Sequence, residues 1–545
     1  METSLYISEC HAELQDAVAA LGGDGSSAQL AGMADLIIQS MTGPWRSFHT
    51  PEHIFEVGDG GSPVEVIAAL FHDLVYVQVD SGIHVNLARY VSPYVREGDK
   101  GLVIDPMKTG ADQDLDLVMD LFGFQRGQVM SPFAGQNEFL SALLAVKLLN
   151  GILPLSALAQ VAACIEATIP FRADLPDGRS CSDVLLQRLT KASRDHGLAL
   201  TDAQCRETVV MGVKVANRDV GNFASEHPSD FLNNTWNLIP ETNHELLNAD
   251  TYTVKGYRVS LQKMEGFLGF LQPGAVFRQF DDEPSSEEHA QRLHLAQRNL
   301  EVARLYLRMK LVAIALLEAM SWRLGQEVSL ASIMGKLPGN SDMPFQLENQ
   351  LPVVAQPYIG QNECEITVMH LLEDGRSGES SHDSKHSPVA SYLVRSIGVP
   401  QALTLLERAR LFFANQLSAD DFLAKPFAMA ELEARLSALI RRARGNEHPR
   451  MSLGPLTYDA ISRLFSLGEE HLSLSPREHS LLRLLIQRSG EPLSRQQILD
   501  RIFKDEDDVQ SSAIDVLMHR LRKRLEGSGV CIQTYRGLGY VLEKA

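Results

Sequence analysis

Apolar residues recur at helical spacing over most of this chain. Residues 1 to about 372 show the three- to four-residue period of amphipathic helices, and one long helix is predicted from about residue 286 to residue 324. Ser285, followed by two glutamates, supplies an N-cap and acidic residues for its first turn. The polar stretch 373–388 is predicted to be a loop, and helical spacing resumes over about 389–416. The pattern therefore predicts a mainly α-helical region.

The last hundred residues follow a different pattern, in which short strands alternate with helices. Ser475 is predicted to cap a helix whose first residue is Pro476, and Ile514, Leu517 and Leu521 form the apolar stripe of a later helix. Strands are predicted at 456–458, 463–467 and 471–474, a short helix at 494–503, and a final β-hairpin at 530–542. The linker at 445–449 separates this α+β segment from the helical region.

Basic residues lie on the last helix and on the tip of the hairpin. Four of the five residues from Arg520 to Arg524 are basic and mostly face away from the apolar stripe, and Arg536 lies at the hairpin tip. A basic helix can enter a DNA major groove, while a hairpin can reach the backbone or the minor groove. This arrangement predicts binding to double-stranded DNA.

Four blocks of this segment, in order, resemble the winged-helix output domain of OmpR/PhoB-type response regulators. They are Leu474-Ser475-Pro476-Arg477-Glu478 and the stretches 493–499, 512–525 and 532–540. The resemblance covers about residues 455–543 and implies a winged helix-turn-helix fold. It assigns DNA binding to Ser512, Asp515, His519, Arg520, Arg522, Lys523, Thr534, Arg536 and Tyr540.

Composition narrows the class of protein. The 545 residues carry a formal net charge of −19, which argues against a chain that coats nucleic acid over its whole surface. From residue 450 onward, 14 Lys+Arg face 13 Asp+Glu, so the acidic charge lies in the preceding part. The six cysteines are scattered, without a Cys-x-x-Cys pair, and neither a signal segment nor a membrane span is predicted. We expect a cytoplasmic protein without a membrane partner.

Residues 419–445 resemble the end of a response-regulator receiver domain. Lys425-Pro426 matches the last loop of such a domain, and a helix is expected to follow it. A complete receiver needs a doubly wound α/β sheet and a phosphorylated aspartate, but the preceding 392–416 is helical and supplies neither. The receiver is therefore interpreted as truncated, with phosphotransfer lost. A deletion that joined two neighbouring genes would leave such a fragment.

A histidine and aspartate pattern lies near the N-terminus. His49 and His53 are four residues apart and are expected to share a helix face. After the break at 58–61, Ser62-Pro63 starts a second helix, which is expected to carry His72 and Asp73. Imidazoles with carboxylates suit a divalent transition metal that can activate water.

These residues resemble the HD-domain phosphohydrolase superfamily over about residues 30–240. The resemblance implies a distal metal ligand, for which Asp219 is the candidate, and Glu166 is the candidate for a catalytic, substrate-side group. Dinuclear members offer further histidines where this chain reads Ile169-Pro170-Phe171, a departure that favours a single metal at most, or a degenerate site. The implied cofactor is one divalent ion, Mn, Fe, Mg or Zn.

Two functions from different classes remain. The first is a DNA-binding transcriptional regulator whose receiver has been replaced by an HD-like domain, with domains at 1–418 (helical extension 245–416), 419–445 and 450–545. The second is a metal-dependent HD-type phosphohydrolase carrying a fused DNA-binding tail. The expected partners are double-stranded DNA, a small phosphorylated or nucleotide-like ligand, and a second copy of the chain on DNA. The DNA-binding motifs are the more specific ones and favour the first function.

Overall fold

The structure is a computed structural model, and its described residues fall into two compact units. One unit holds the described residues up to Phe422, and the other holds those from Arg450 onward. The described residues are 2–43, 45–80, 82–98, 101–105, 112–243, 254–323, 354, 356–380, 383–414, 416–417, 422, 450–459, 464–468, 470–487, 493, 495, 498, 512–535 and 539–544.

The first unit is mainly α-helical, as the pattern of apolar residues predicts. Two short antiparallel strands, which the sequence did not suggest, are inserted between helices. The elements are α1 (Glu2–Ala20), α2 (Ser27–Met41), α3 (Pro51–Gly58), α4 (Pro63–Phe71), α5 (Val85–Val91), β1 (Val95–Gly98), β2 (Gly101–Ile104), α6 (Gln113–Phe122), α7 (Gln136–Leu149), α8 (Leu155–Ala167), α9 (Cys181–Asp195), α10 (Asp202–Asp219), a 3₁₀ turn (Gly221–Ala224), α11 (Pro228–Thr242), α12 (Val254–Phe270), α13 (Pro273–Val276), α14 (Ser286–Arg323), α15 (Glu363–Asp374) and α16 (Pro388–Phe413).

Helix α8 lies in the centre of the core of this unit. From Ala157 to Ala167 every residue except Gln160 is buried. Its many alanines let neighbouring helices approach closely, and Gly212 of α10 lies where an added Cβ would be 2.9 Å from the Cβ of Ala167. Capping boxes at Ser180 and Thr201 fix where α9 and α10 begin. This close packing fixes the position of α10, whose last residue is Asp219.

The two long helices agree with the prediction, with one added feature. Helix α14 begins at Ser286 and ends at Arg323, close to the predicted 286–324. Helix α16 is kinked at Gly398, whose φ of 79° is accessible to glycine at little cost. By length and composition α16 could cross a membrane, but half of its most apolar window is buried inside this unit. Such burial is also typical of a core helix.

Most of the polar stretch 373–388 is a loop, as predicted, because α15 ends at Asp374 and α16 begins at Pro388. It is not a surface loop throughout. Arg376 and Asp383 are fully buried, and Ser387 is bonded to the hydroxyl of Tyr306 at 3.0 Å. The charged residues of this loop are therefore packed among helices of the first unit.

The second unit has a small sheet, helices and a hairpin. Strands β3 (Arg450–Leu453), β4 (Leu456–Asp459), β5 (Leu464–Leu467) and β6 (Glu470–Leu472) form an antiparallel sheet in that order. Helices α17 (Pro476–Gln487) and α18 (Ser512–Leu525) and the hairpin β7 (Val530–Tyr535) and β8 (Gly539–Lys544) follow. The predicted receiver end at 419–445 lies outside the described residues except for Phe422, and the predicted helix at 494–503 lies outside them except for Arg495 and Ile498.

Buried apolar residues hold the second unit together, and one capping box fixes where α17 begins. The backbone N–H of Ser475 donates to Glu478 at 2.8 Å, and the Glu478 N–H donates back to the Ser475 hydroxyl. Ile514, Leu517 and Leu521 of α18 are buried, as the stripe predicted. The opposite face of α18 is left to solvent.

Gly212→Val should destabilise the first unit. Its added atoms overlap Ala167 and Cys164 of α8, and overpacking of this kind costs about 1–3 kcal/mol. Gly266→Val on α12 is the matched control, because nothing lies within 4 Å of a Cβ there. Thermal unfolding of both variants measures the difference. Equal melting temperatures would contradict the close approach of α8 and α10.

Candidate functional sites

Four of the predicted metal-binding side chains meet in one buried cluster in the first unit. His53 lies in the first turn of α3, His72 is the C-cap that follows α4, Asp73 comes next, and Asp219 is the last residue of α10. One ligand atom from each of the four can be chosen so that all lie within 4.8 Å of one another. We call this group the His/Asp cluster.

The atoms of the His/Asp cluster alternate between nitrogen and oxygen. The His72 Nε2 is 3.1 Å from an Asp73 oxygen and 3.5 Å from an Asp219 oxygen. The His53 Nε2 is 3.1 Å from that Asp219 oxygen and 3.6 Å from Asp73. Two imidazole nitrogens and two carboxylate oxygens form a donor set that suits a divalent transition ion.

The orientation of His72 also fits a metal site. Its Nδ1–H donates to the carbonyl oxygen of Ala69 at 2.7 Å, which directs the Nε2 at the two carboxylates. That Nε2 is buried and makes no hydrogen bond of good geometry. A ligating histidine is usually held in this way, through its other nitrogen.

Two details of the helix prediction were wrong at this site. His72 and Asp73 were expected within a helix, but α4 ends at Phe71. His49 was expected to share a helix face with His53, but it lies two residues before α3 begins. The Nε2 of His49 is 3.8 Å from an Asp73 oxygen, so it lies beside the cluster. Pro51 at the helix start explains the change, because proline favours the first helical position.

Glu241 on α11 holds His49 in place, and sequence reasoning missed it. One oxygen of its buried carboxylate contacts the His49 Nδ1 at 2.5 Å. The other accepts backbone N–H bonds from Ser47, Phe48 and His49 at 2.7–3.0 Å. An acidic residue near the end of a helix is common, so the sequence carried no signal for this role.

Arg46 holds the backbone at Asp73, one member of the cluster. Its guanidinium pairs with Asp80 at 2.7 Å and donates to the backbone carbonyls of Asp73 and Leu74. The chain direction at Asp73 is therefore set by a buried ion pair as well as by the end of α4.

The charges in the cluster stabilise one another. Burial lowers the pKa of His72, but the carboxylates of Asp73 and Asp219 outweigh it and the pKa is raised well above its ordinary value. Burial raises the pKa of Asp219, but hydrogen bonds and charge from His53 and His72 reverse this and lower it to about 2. The pKa of Asp73 is also lowered, mainly by His72. Both carboxylates are therefore ionised at neutral pH and available to a cation.

Glu166, predicted as a catalytic group, lies elsewhere in the first unit. Its carboxylate is buried and forms a two-point ion pair with Arg172 at 2.6 and 3.1 Å, with Arg188 at 3.5 Å. It is not among the four residues that the structure brings together. These contacts describe a residue that anchors the end of α8.

A different carboxylate, Glu138 in the first turn of α7, feels the charges of the His/Asp cluster. Burial raises the pKa of Glu138, and the charges of Asp73 and Asp219 raise it further, to about 7. One of its oxygens is buried and makes no hydrogen bond. A signal existed in the sequence, because Gln136-Asn137-Glu138 puts three polar residues at the start of an otherwise apolar helix.

In the second unit, α18 presents the predicted basic surface. His519, Arg520 and Lys523 are exposed, and no described residue hydrogen-bonds to their side chains. Val516 is 51% exposed beside them, an apolar residue that sequence reasoning missed. A groove-binding helix can use such a side chain against a thymine methyl group.

The remaining described members of the predicted DNA-binding set contact one another. The Tyr540 hydroxyl donates to Asp515 at 2.8 Å, and Arg495 donates to the same carboxylate. Arg522 donates to the Ile532 carbonyl at 2.8 Å and to the Thr534 hydroxyl at 2.5 Å. These bonds tie α18 to the hairpin and give Arg522 a positioning role. Arg536 and the side chain of Ser512 lie outside the described residues.

Known proteins resemble the C-terminal part of the chain. Residues 468–542 match the family described as "Transcriptional regulatory protein, C terminal". The transcriptional regulatory protein TctD of Salmonella typhimurium is 47% identical over 128 residues, which are 24% of this chain and 57% of that protein. The response regulator protein PmrA of Pseudomonas aeruginosa is 41% identical over 126 residues, 23% of this chain and 56% of that protein.

A solved structure also matches this part. It is the DNA-binding domain of RstA from Klebsiella pneumoniae in complex with the RstA box. The two sequences are 30% identical, and the match covers 18% of this chain and 98% of that chain with a TM-score of 0.17. The match to the curated regulators covers a little over half of their length. The N-terminal region is without a family assignment.

The His/Asp cluster predicts a pH dependence with a definite sign. His49 and His72 have raised pKa values, so they stabilise the metal-free fold below about pH 6.5, and this stabilisation is lost as the pH rises through the raised values. Mn²⁺ competes with the same protons, so its stabilising effect should grow from about pH 6 to about pH 8. Melting temperatures with and without Mn²⁺ measure both trends.

The controls separate the cluster from other histidines. The double variant His72→Ala/Asp73→Ala should lose the Mn²⁺ effect, while His370→Ala, at an exposed position on α15, should keep it. A Mn²⁺ effect that persists in the double variant would contradict metal binding at the cluster.

Proposed function

We propose that this chain, whose C-terminal segment is an OmpR/PhoB-type winged-helix DNA-binding domain, is a transcriptional regulator controlled by an HD-like metal-binding domain instead of a phosphorylated receiver. The carrying observation is the exposed basic face of α18, formed by His519, Arg520 and Lys523, within the matched residues 468–542. A regulator of this kind acts inside the cell, on double-stranded DNA.

The contacts within the second unit support DNA binding by α18. Arg522, Thr534, Asp515 and Tyr540 bond to one another and hold the helix against the hairpin, while the exposed side chains remain available to bases and phosphates. Phosphate contacts position a protein on DNA, and contacts to base edges give specificity. Arg536 at the hairpin tip is proposed to contact DNA as well, as the family resemblance implies. A second copy bound to an adjacent half-site is the expected assembly.

Truncation of the receiver is supported by the length of the match to the curated regulators. The 128 residues that match TctD are only 57% of that regulator. A match of this length falls short of a winged-helix domain together with a complete receiver, and Lys425-Pro426 resembles only the last loop of a receiver. We therefore propose that residues 419–445 are a receiver remnant, and that DNA binding does not respond to phosphorylation. The joining of two genes near residue 418 accounts for this organisation.

Metal binding by the helical domain is supported by the geometry of the His/Asp cluster. His53, His72, Asp73 and Asp219 would hold one divalent ion, with His49 beside it, as in the HD superfamily that the sequence resembles. A bound ion would polarise a coordinated water or phosphoryl oxygen. Glu241 and Arg46 keep the ligands oriented. In the proposed regulator this site senses the metal or a small phosphorylated or nucleotide-like ligand.

A second function, metal-dependent phosphoester hydrolysis, is favoured by Glu138. Its pKa of about 7, which burial and the charges of Asp73 and Asp219 raise, lets this carboxyl accept or release a proton near neutral pH. Glu166, the group first considered for this role, is neutralised by Arg172 and is less suited to move a proton. We therefore assign the proton-transfer role to Glu138.

Arg520→Ala and Lys523→Ala should each weaken binding to a duplex selected from a random-sequence pool with the wild-type chain. Each should also reduce the slope of log affinity against log salt by about one if the residue contacts a phosphate. Lys255→Ala, an exposed position on α12, removes the same charge from the other unit and should leave binding unchanged. Fluorescence anisotropy over a range of salt concentrations measures this. Wild-type affinity in both α18 variants would disprove the assigned surface.

Glu138→Gln should lower the rate of Mn²⁺-dependent hydrolysis of p-nitrophenyl phosphate by about 100-fold or more, since it removes the proton-transferring group. Glu166→Gln is the comparison: it should lower stability, because it leaves Arg172 without its charged partner, but retain most of the rate per folded molecule. The reverse result would return the role to Glu166. Absence of hydrolysis in the wild-type chain would leave the site as a sensor and remove the second function only.

A further inference from the structure

A second buried cluster of charges lies in the first unit and shares no residue with the His/Asp cluster. It joins Trp236 of α11, Tyr257 of α12 and Lys310 of α14 with Arg376 and Asp383 of the loop between α15 and α16. The side chains of Arg376 and Asp383 are fully buried, and that of Lys310 is 5% exposed. We call this group the Arg/Lys cluster.

The donors of the Arg/Lys cluster converge on one oxygen of Asp383. Trp236 donates to that oxygen at 2.8 Å and Lys310 at 2.6 Å, and the Tyr257 hydroxyl donates to it as well. Arg376 reaches only 3.6 Å from it. Burial raises the pKa of Asp383, but the charges of Lys310 and Arg376 outweigh burial and lower it, so the carboxylate is ionised. One oxygen thus already has three close donors, and the guanidinium is left at a distance.

The cluster carries more positive than negative charge. Two cations face one carboxylate, and among the described residues no second carboxylate lies within ion-pair distance of Lys310 or Arg376. The Nε and Nη1 of Arg376 and the second oxygen of Asp383 are buried and make no hydrogen bond with a described residue. Two buried cations that share one carboxylate are costly, because they have lost water without each gaining a full partner.

Aromatic rings only partly offset this cost. The Arg376 guanidinium lies 4.4 Å from the ring centre of Trp236, and the Lys310 ammonium lies 5.2 Å from it. Cation–π contacts favour the charges but accept none of the N–H groups of the guanidinium. The chemistry that would satisfy them is an anion with two or more oxygens, since a guanidinium binds such a group through paired N–H bonds.

We infer that the Arg/Lys cluster is a binding site for a small oxyanion, such as phosphate or the phosphoryl or carboxylate group of a small metabolite. The anion takes the free N–H groups of Arg376 and shares Lys310 with Asp383. A protonated oxygen or hydroxyl of the ligand can donate to the second oxygen of Asp383, which satisfies the remaining buried acceptor. Bound anion and Asp383 together balance the two cations.

Trp236 provides a local probe for inorganic phosphate in the full chain. The sequence has three tryptophans, so Trp45→Phe/Trp322→Phe leaves Trp236 as the only one. With EDTA present to remove metal, phosphate is titrated at constant ionic strength against chloride, and the fluorescence of Trp236 is recorded. Phosphate bound at the His/Asp cluster or on α18 does not involve this indole. We expect a saturable fluorescence change with phosphate and none with chloride.

Two variants in that background test the assignment in opposite directions. Arg376→Gln should weaken phosphate binding at least about 10-fold, because it removes charge-assisted hydrogen bonds. Asp383→Asn should tighten binding by a comparable factor, because the internal carboxylate no longer competes for Lys310. Arg395→Gln on α16, where the arginine is partly exposed and pairs with Glu373, is the control and should not change the affinity.

The outcomes are decisive even if one variant does not fold. No saturable response in the parent protein, or an equal response in Arg376→Gln, overturns the inference. If Arg376→Gln is unfolded by circular dichroism, Asp383→Asn decides, and an unchanged or weaker affinity there also overturns it. If Asp383→Asn folds only when phosphate is added, the anion has replaced the missing carboxylate, which supports the site.

Discussion

Mutual neutralisation of buried imidazoles and carboxylates is the constraint on which the first unit depends. His53 lies in the first turn of α3, His72 and Asp73 follow α4, and Asp219 ends the distant helix α10. Each of these polar groups is costly to bury alone. Close packing of α8 against α10, which Gly212 permits, brings Asp219 to the ends of α3 and α4. The helical core thus serves to hold four polar groups within reach of one another. A cation that completes the group adds to this arrangement instead of creating it.

Helix α11 connects the two buried charged clusters of this unit. Its Trp236 lies in the Arg/Lys cluster, and its Glu241, five residues later, holds His49 and the backbone before α3. Pro240 lies between the two residues and cannot donate the helix hydrogen bond that would return to the carbonyl of Trp236. One helix thus supplies a side chain to each group of buried charges.

In the C-terminal unit, some charged residues of α18 bind neighbouring elements of the fold, while others on the same helix remain exposed. Arg522 and Asp515 are charged and exposed, yet they are used internally, against the hairpin and Arg495. Arg520 and Lys523 are exposed, and no described residue hydrogen-bonds to their side chains. Charged residues at adjacent positions of one helix thus have different roles, which depend on whether an acceptor from the hairpin lies within about 3 Å. The family resemblance alone treats all of them as DNA contacts.

The sequence by itself determined the helical class of the first unit, the bounds of α14, the stripe of α18 and the pairing of His72 with Asp73. These features follow from local periodicity and capping, which need no knowledge of distant residues. Tertiary structure alone decided that α4 ends before His72, that Glu241 holds His49, and that Glu166 instead binds Arg172. It also decided that Arg376 and Asp383 of a polar loop are buried. Each of these depends on which side chains a packed core brings within a few ångströms, and the distance along the chain between such residues carries no information about that.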